Sequence, residues 1–306
     1  MEIINTLENL ILKDETVVAL GNFDGIHAGH KVILQDAVDV ARERELKSLC
    51  FTFSNHPFNF IMHRKETDPD ALKLLCRESE KIQMIEEMGF DYLVNVPFDE
   101  DMMKMPAAEF YNRVLLASLN AAVISVGFNY TYGARAEGKA DTLYREGEDS
   151  GIEVRVHDAV KIFHNVVSST LIRETIAAGE IETASMYLDR EYSITDTVTH
   201  GKKIGTMLGI PTINFNAPTD ILLPPNGVYA SRTIIDGVEY KSITNIGIRP
   251  TVVGKDKTIE THIKDYDGDA YGKTVTVVFE KYIRPEKKFN TLEELREQVE
   301  IDIQSI

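Results

Sequence analysis

Thr16-Val17-Val18-Ala19-Leu20-Gly21-Asn22-Phe23-Asp24-Gly25-Ile26-His27-Ala28-Gly29-His30 begins as an apolar run and ends in glycines and paired histidines. Thr16 to Leu20 has the length and β-branched character of a strand buried in a parallel sheet. From His30 onward the pattern becomes helical, with Val32, Ile33, Ala37, Val40 and Ala41 on one apolar stripe. A helix that starts directly after a strand presents unpaired backbone N–H groups and a partial positive charge, and glycines let phosphate oxygens approach the chain. His27 and His30 can then donate hydrogen bonds to charge that develops on an attacked α-phosphate. Taken alone, His-x-x-His also fits two surface histidines or half of a zinc site. Zinc needs further ligands, whereas Cys50 and Cys76 stand apart and no Cys-x-x-Cys occurs.

The chain of 306 residues exceeds the usual size of one core, so two domains are expected. Acidic residues outnumber basic ones 49 to 33, and the formal charge of −16 opposes a broad nucleic-acid-binding surface. Phosphates must therefore be gripped locally. No apolar run reaches membrane-spanning length, and Met1 to Asn5 lacks a basic segment followed by an apolar core, so a cytoplasmic protein without membrane contact is expected. Cys50 lies within the apolar run Leu49-Cys50-Phe51, where a buried inert thiol is expected.

Up to residue 186, strand-like and helix-like segments alternate, the signature of a parallel α/β sheet covered by helices. Strands are predicted at Thr16–Leu20, Lys47–Phe53, Tyr92–Val96, Ala122–Val126 and Glu153–Val156. Helices are expected over Glu80–Met88 and from about Pro106. After about Tyr192 the pattern becomes antiparallel β. Asp236-Gly237 between Val228–Ile235 and Val238–Ile246 is a strong hairpin signal, and a second hairpin is expected to join Ile259–Tyr266 to Thr274–Ile283 through Asp267-Gly268-Asp269. A last helix is expected to be capped by Asn290 with Glu293, and lined by Leu292, Leu295, Val299 and Ile303.

Three later segments in the first half belong with the histidine motif. His56, in Phe51-Thr52-Phe53-Ser54-Asn55-His56-Pro57, follows a predicted strand, where parallel sheets place ligand contacts, although a turn residue before proline fits equally well. Asn129, in Val126-Gly127-Phe128-Asn129-Tyr130-Thr131-Tyr132-Gly133, follows another strand and suits a nucleotide contact. Ser169 and Thr170 open a helix and can be caps; with Arg173 one turn on they can also supply hydroxyls and a guanidinium to a triphosphate.

These segments together resemble the first module of the bacterial bifunctional riboflavin kinase/FAD synthetases, within the nucleotidylyltransferase superfamily. The resemblance implies adenylyl transfer from ATP to FMN with release of pyrophosphate. It implies that Gly21, Phe23, Asp24, His27, Gly29 and His30 surround the ATP phosphates, with Asn129 at the nucleotide, His56 at flavin or nucleotide, and Ser169, Thr170 and Arg173 on the leaving pyrophosphate. Many members have aspartate and phenylalanine where this chain has Asn129 and Tyr130.

In the second half no Walker lysine motif occurs. Strand periodicity sends Glu260 and His262 to one face and Ile259, Thr261 and Ile263 to the other, and that polar face is either solvated or catalytic. Five stretches in order resemble the riboflavin kinase module: Pro211-Thr212-x-Asn214, Leu223-Pro224 with Asn226-Gly227-Val228-Tyr229, Asn245-Ile246-Gly247-x-Arg249-Pro250-Thr251, Glu260-Thr261-His262, and Arg284-Pro285-Glu286-x-Lys288-Phe289. That resemblance implies that Gly201, Thr212 and Asn214 hold Mg²⁺ and ATP phosphates, and that Glu260 is the base toward the riboflavin 5′-hydroxyl. Many members carry arginine at Thr206 and an aromatic residue at Ile210.

The whole reading is a Rossmann-like adenylyltransferase domain over 1–186, then a Greek-key β-barrel kinase domain with a C-terminal helix over 187–306. Riboflavin, FMN, FAD and ATP are the expected partners, Mg²⁺ the expected ion, and a monomer the expected state. A kinase with one activity, or a flavin-binding regulator without catalysis, are the alternatives.

Overall fold

The computed structural model describes residues 1–63, 70–199, 209–250 and 255–306. Two compact units, Met1–Ser169 and Thr170–Ile306, make up the chain.

The first unit is a wholly parallel sheet of six strands: β1 (Glu2–Ile4), β2 (Thr16–Leu20), β3 (Lys47–Phe53), β4 (Tyr92–Val96), β5 (Ala121–Gly127) and β6 (Glu153–His157), in the order β1-β4-β3-β2-β5-β6. Every residue of β2 is buried, as a strand covered on both faces must be. Val17 and Ala19 join one core cluster with the helix α1 (Ala28–Glu43), while Val18 and Leu20 join another with Phe110 and Leu115. Strand order runs outward from β2 through β3 and β4, then resumes on its other side with β5 and β6. That reversal leaves a crevice beyond the carboxyl ends of β2 and β5, where doubly wound sheets bind ligands.

The predicted strands match within one residue at either end, and β1 is an addition. The α1 stripe differs in one position: Val32 is exposed, and Leu34 and Val38 are buried with Ile33, Ala37, Val40 and Ala41. The helix expected near Glu80 is α2 (Glu78–Glu87), where the Glu80 carboxylate accepts from Arg77 N at 2.8 Å. The one expected near Pro106 runs over Ala107–Glu109 and widens into π-helical turns over Phe110–Ser118. A further helix, α3, covers Ala140–Ser150.

Helix α4 (Ser169–Ala177) starts on the last residue of the first unit and runs into the second, where α5 (Ile181–Leu188) follows. Six antiparallel strands follow: β7 (Ser193–Thr197), β8 (Thr212–Asn216), β9 (Gly227–Ile235), β10 (Val238–Pro250), β11 (Lys255–Ile263) and β12 (Thr274–Arg284). Their order is β7-β12-β9-β10-β11-β8, and a bridge between Thr199 and Asn214 links the two edges into a barrel. At the β9–β10 turn Asp236 and Gly237 have φ of 51° and 79°, the doubly left-handed turn that suits the twist of a hairpin. The second expected hairpin does not form. β11 pairs with β10 and β8, whereas β12 pairs with β9 and β7, so the Asp-Gly-Asp stretch belongs to a crossing connection. The final helix α6 (Leu292–Gln304) is capped by Thr291 rather than Asn290: Thr291 Oγ1 accepts from Glu294 N at 3.2 Å. Asp302, almost fully buried, anchors α6 through a forked pair with Arg284.

Candidate functional site

At the end of β2 the chain makes an unusual turn, with φ of 48° at Phe23 and 36° at Ile26. A β-branched residue at positive φ is strained, and such strain persists where the surroundings over-determine it. Here both side chains are fully buried in the core beneath α1. A Cβ on Gly21 would lie 2.8 Å from the Phe23 ring, which accounts for glycine there. Asp24 accepts from Leu75 N at 3.0 Å, and Ser169 Oγ donates to the Asp24 carbonyl at 3.2 Å.

His27 is the N-cap of α1, its Nδ1 accepting from His30 N at 3.2 Å. With Nδ1 an acceptor, the neutral ring carries its proton on Nε2 and donates from there. Its ring stacks on His30 with centroids 3.6 Å apart, and Phe23 meets His30 edge-on at 5.4 Å. Burial, then the neighbouring His27 and Lys81, holds the His30 imidazole well below the usual histidine range. His30 Nδ1 is buried without a hydrogen-bond partner among the described residues. His30 lines the crevice, with its imidazole held toward the neutral form.

The crevice is a cleft of about 550 Å³. Gly21, Phe23, His30 and Asn129 line it at the strand ends, and Phe53, Ile61, Phe98, Met102 and Met105 form an apolar wall. Tyr130 and Tyr132 stack at 5.9 Å, with Tyr132 Oη donating to Glu146 at 2.5 Å. Burial pushes both phenols up, so they remain neutral and act as flat apolar surface with a fixed donor.

His56 is the N-cap of the short helix Pro57–Ile61, its Nδ1 accepting from Phe58 N at 3.2 Å. With Asp24 it lines a separate, much smaller crevice. Gly29 is the second residue of α1, and a Cβ there would lie 3.2 Å from the His27 ring. Thr170 and Arg173 lie on α4 within the second unit, Thr170 exposed and Arg173 partly buried. Lys81 was not singled out from sequence. It is buried and donates to Phe53 O at 2.7 Å and Thr52 Oγ1 at 3.4 Å, while Thr52 Oγ1 donates to Asn22 O at 3.0 Å. Burial lowers its pKa, and no spacing rule signals a lysine that turns inward from an otherwise amphipathic helix.

In the second unit the register sets Asn214, Glu260 and Asn245 in one row across β8, β11 and β10. Thr212 lies opposite His262 two residues along, and His262 Nδ1 donates to Pro211 O at 2.9 Å. Ile259, Thr261 and Ile263 point into the barrel core, so Glu260 and His262 share the outer face. Asn214 Nδ2 reaches Thr212 Oγ1 at 3.5 Å. Thr212 lines a cleft of about 390 Å³ whose rim is Tyr266 to Tyr271; Asn214 and Glu260 are not among its lining residues. Gly201 and Thr206 lie outside the described residues.

The crevice at the reversal of the parallel sheet and the polar row on the barrel stand in separate units of the chain. Residues 11–171 match the FAD synthetase family and residues 188–306 the riboflavin kinase family. A bifunctional riboflavin kinase/FMN adenylyltransferase of Bacillus subtilis (strain 168) is 32% identical over 96% of this chain and 93% of its own length. One of the same name from Pseudomonas fluorescens is 33% identical over 99% and 96%. A solved structure from Streptococcus pneumoniae, described as a macrolide-efflux protein, is similar with a TM-score of 0.89 and 27% identity over 99% of this chain and 97% of its own. The chain belongs to the bifunctional riboflavin kinase/FMN adenylyltransferase family. No helix among the described residues is long and apolar enough to cross a membrane.

Proposed function

We propose that the protein makes FAD from riboflavin in two ATP-dependent steps, with FMN as the product of the first and the acceptor of the second. The observation that carries this reading is the presence in one chain of two separately built polar clusters, each within the matching family segment.

In the kinase step the riboflavin 5′-oxygen attacks the γ-phosphorus of ATP and its proton passes to Glu260, while the electron pair of the broken P–O bond leaves with ADP. Thr212 and Asn214 would hold Mg²⁺: hydroxyl and amide oxygens are hard donors, and two of them on one strand face suit an ion that keeps phosphate and water ligands as well. No described group of three His, Cys, Asp or Glu residues offers a closed protein cage for a metal. The ion would neutralise phosphate charge. Gly201 is assigned to the same nucleotide on sequence grounds alone.

In the adenylyl step an FMN phosphate oxygen attacks the α-phosphorus of ATP, and the bond to the β-phosphate breaks with its electrons passing to pyrophosphate. His27 and the neutral His30 donate to the charge built up at the α-phosphate, with Gly21, Phe23, Asp24 and Gly29 shaping the turn that admits it. Asn129 meets the nucleotide, Ser169, Thr170 and Arg173 receive the pyrophosphate, and His56 is placed toward flavin or nucleotide. The stacked tyrosines and the methionine wall suit the flat flavin ring. We place the functional boundary between residues 186 and 187, within the gap separating the two family matches, and take the protein to be a cytoplasmic monomer. Its charge of −16 supports the absence of a nucleic-acid partner.

Purified protein with riboflavin and Mg-ATP should yield FMN and then FAD by chromatography, and FMN with Mg-ATP should release pyrophosphate. Absence of both flavin products would overturn the proposal; FMN without FAD would reduce it to a single-activity kinase.

A further inference from the structure

The turn Ala134–Ala136, on the edge of the first unit's cleft, has two adjacent residues at positive φ, Arg135 at 57° and Ala136 at 56°. Neither is glycine, and each costs of order 1–2 kcal/mol relative to an ordinary backbone. The turn is nevertheless clamped from several sides. Ala134 N donates to Met105 O at 2.8 Å, and Ala107 N donates to Glu137 Oε1 at 2.8 Å. Gly133, at φ 75°, packs so closely that an added Cβ would lie 2.6 Å from the Ala107 backbone. Strain held this firmly at the mouth of a ligand cleft is an outlier that asks for a function.

Arg135 is exposed and lines the cleft shared by His30, Asn129 and the methionine wall. It has the only permanently charged side chain among the described lining residues of that cleft; the His30 ring is held neutral. Its guanidinium is in no ion pair found among the described residues. Two of the cleft's requirements are otherwise met, an apolar wall for a flat ring and the stacked histidines for the nucleotide. The acceptor, however, must bring a phosphate dianion up to a triphosphate, and two anions repel unless a cation stands beside the incoming one.

We propose that Arg135 is the specificity-determining residue for the acceptor, its guanidinium gripping the phosphate of FMN and so selecting phosphorylated over unphosphorylated flavin in the adenylyl step. This rests on the adenylyl-transfer reading of the cleft. A planar two-pronged donor suits a phosphate's paired oxygens, and the strained turn fixes the root of a long side chain that would otherwise have to be ordered on binding.

The test is steady-state kinetics of FAD formation by the full-length protein, with FMN and ATP varied separately. Arg135→Asn removes the cation and places at φ 57° one of the few side chains that tolerates it, so the fold is kept or stabilised. KM for FMN should rise about 10- to 100-fold, with KM for ATP changing less than twofold and conversion of riboflavin to FMN unaffected. Arg135→Lys, which keeps charge but not the fork, should recover part of the loss. An unchanged KM for FMN in Arg135→Asn, or an equal rise for both substrates, would overturn the assignment while leaving the adenylyl reading standing. If the unaltered protein forms no FAD from FMN, both fall.

Discussion

In the first unit His27, His30, Gly21 and Asn129 stand on segments that leave the ends of β2 and β5, whereas in the second Asn214, Glu260 and Asn245 stand in one cross-strand row inside a sheet. Loop-borne residues must be fixed one at a time. Positive φ at Phe23, Ile26 and Arg135, the buried Lys81 of α2 bonded to the last carbonyl of β3, and the Asp24 anchor to Leu75 all serve that end. Residues in a row need no such devices, because the pairing that closes the barrel also sets their spacing. The first arrangement is open to damage by local backbone changes, the second by loss of the barrel itself.

Glu260→Gln presses hardest on this contrast. It should lower FMN formation by about 10²- to 10⁴-fold while FAD formation from supplied FMN stays within twofold, both followed by chromatography of the flavins. His30→Ala should do the reverse, lowering FAD formation by about 10²- to 10³-fold and sparing the kinase step. If either substitution abolished both activities in folded protein, the two arrangements would not be separate sites. Asp302→Ala leaves the partly buried Arg284 without its carboxylate and should destabilise the second unit by about 3 kcal/mol. On warming, kinase activity should then vanish at a temperature where FAD synthesis from FMN persists.

The smallest expected effect is on acid stability. His30 has a lowered pKa in the fold and an unfolded value of about 6.5, so below that pH the unfolded chain takes up the extra proton. Stability present at neutral pH is therefore lost as pH falls through the unfolded value, by at most about 1.4 kcal/mol per pH unit. Urea midpoints at pH 7 and pH 5 should differ more in the unaltered protein than in His30→Asn. Equal differences would show that the buried histidine pair sets no part of the acid limit.

The parallel sheet was legible because its strands are buried on both faces and read as unbroken apolar runs, as Thr16–Leu20 does. β1 escaped notice because three residues with two exposed side chains carry no pattern. Asp267-Gly268-Asp269 misled for a different reason: a turn signal reports that the chain bends, not which strand it reaches, and β12 finds its partner in β9. At α6 the expected cap Asn290 gives way to Thr291, one residue on, whose hydroxyl accepts from the Glu294 amide. For the candidate site, the histidines, Asn129 and the Glu260 face followed from motif and periodicity. Lys81 and the strained Arg135 turn did not, since inward burial of a charge and left-handed φ at ordinary residues leave no mark on composition or spacing.

The bridge between Thr199 and Asn214 has a further consequence. Both the Thr199 amide and its hydroxyl donate to the Asn214 carbonyl, at 2.7 and 3.2 Å, and this is where the two edges of the barrel meet among the described residues. Because the side chain of the same Asn214 points along the face beside Thr212, whatever grips that side chain also laces the seam shut. Residence of a nucleotide and slow exchange of the Thr199 amide hydrogen with solvent then become two readings of one equilibrium.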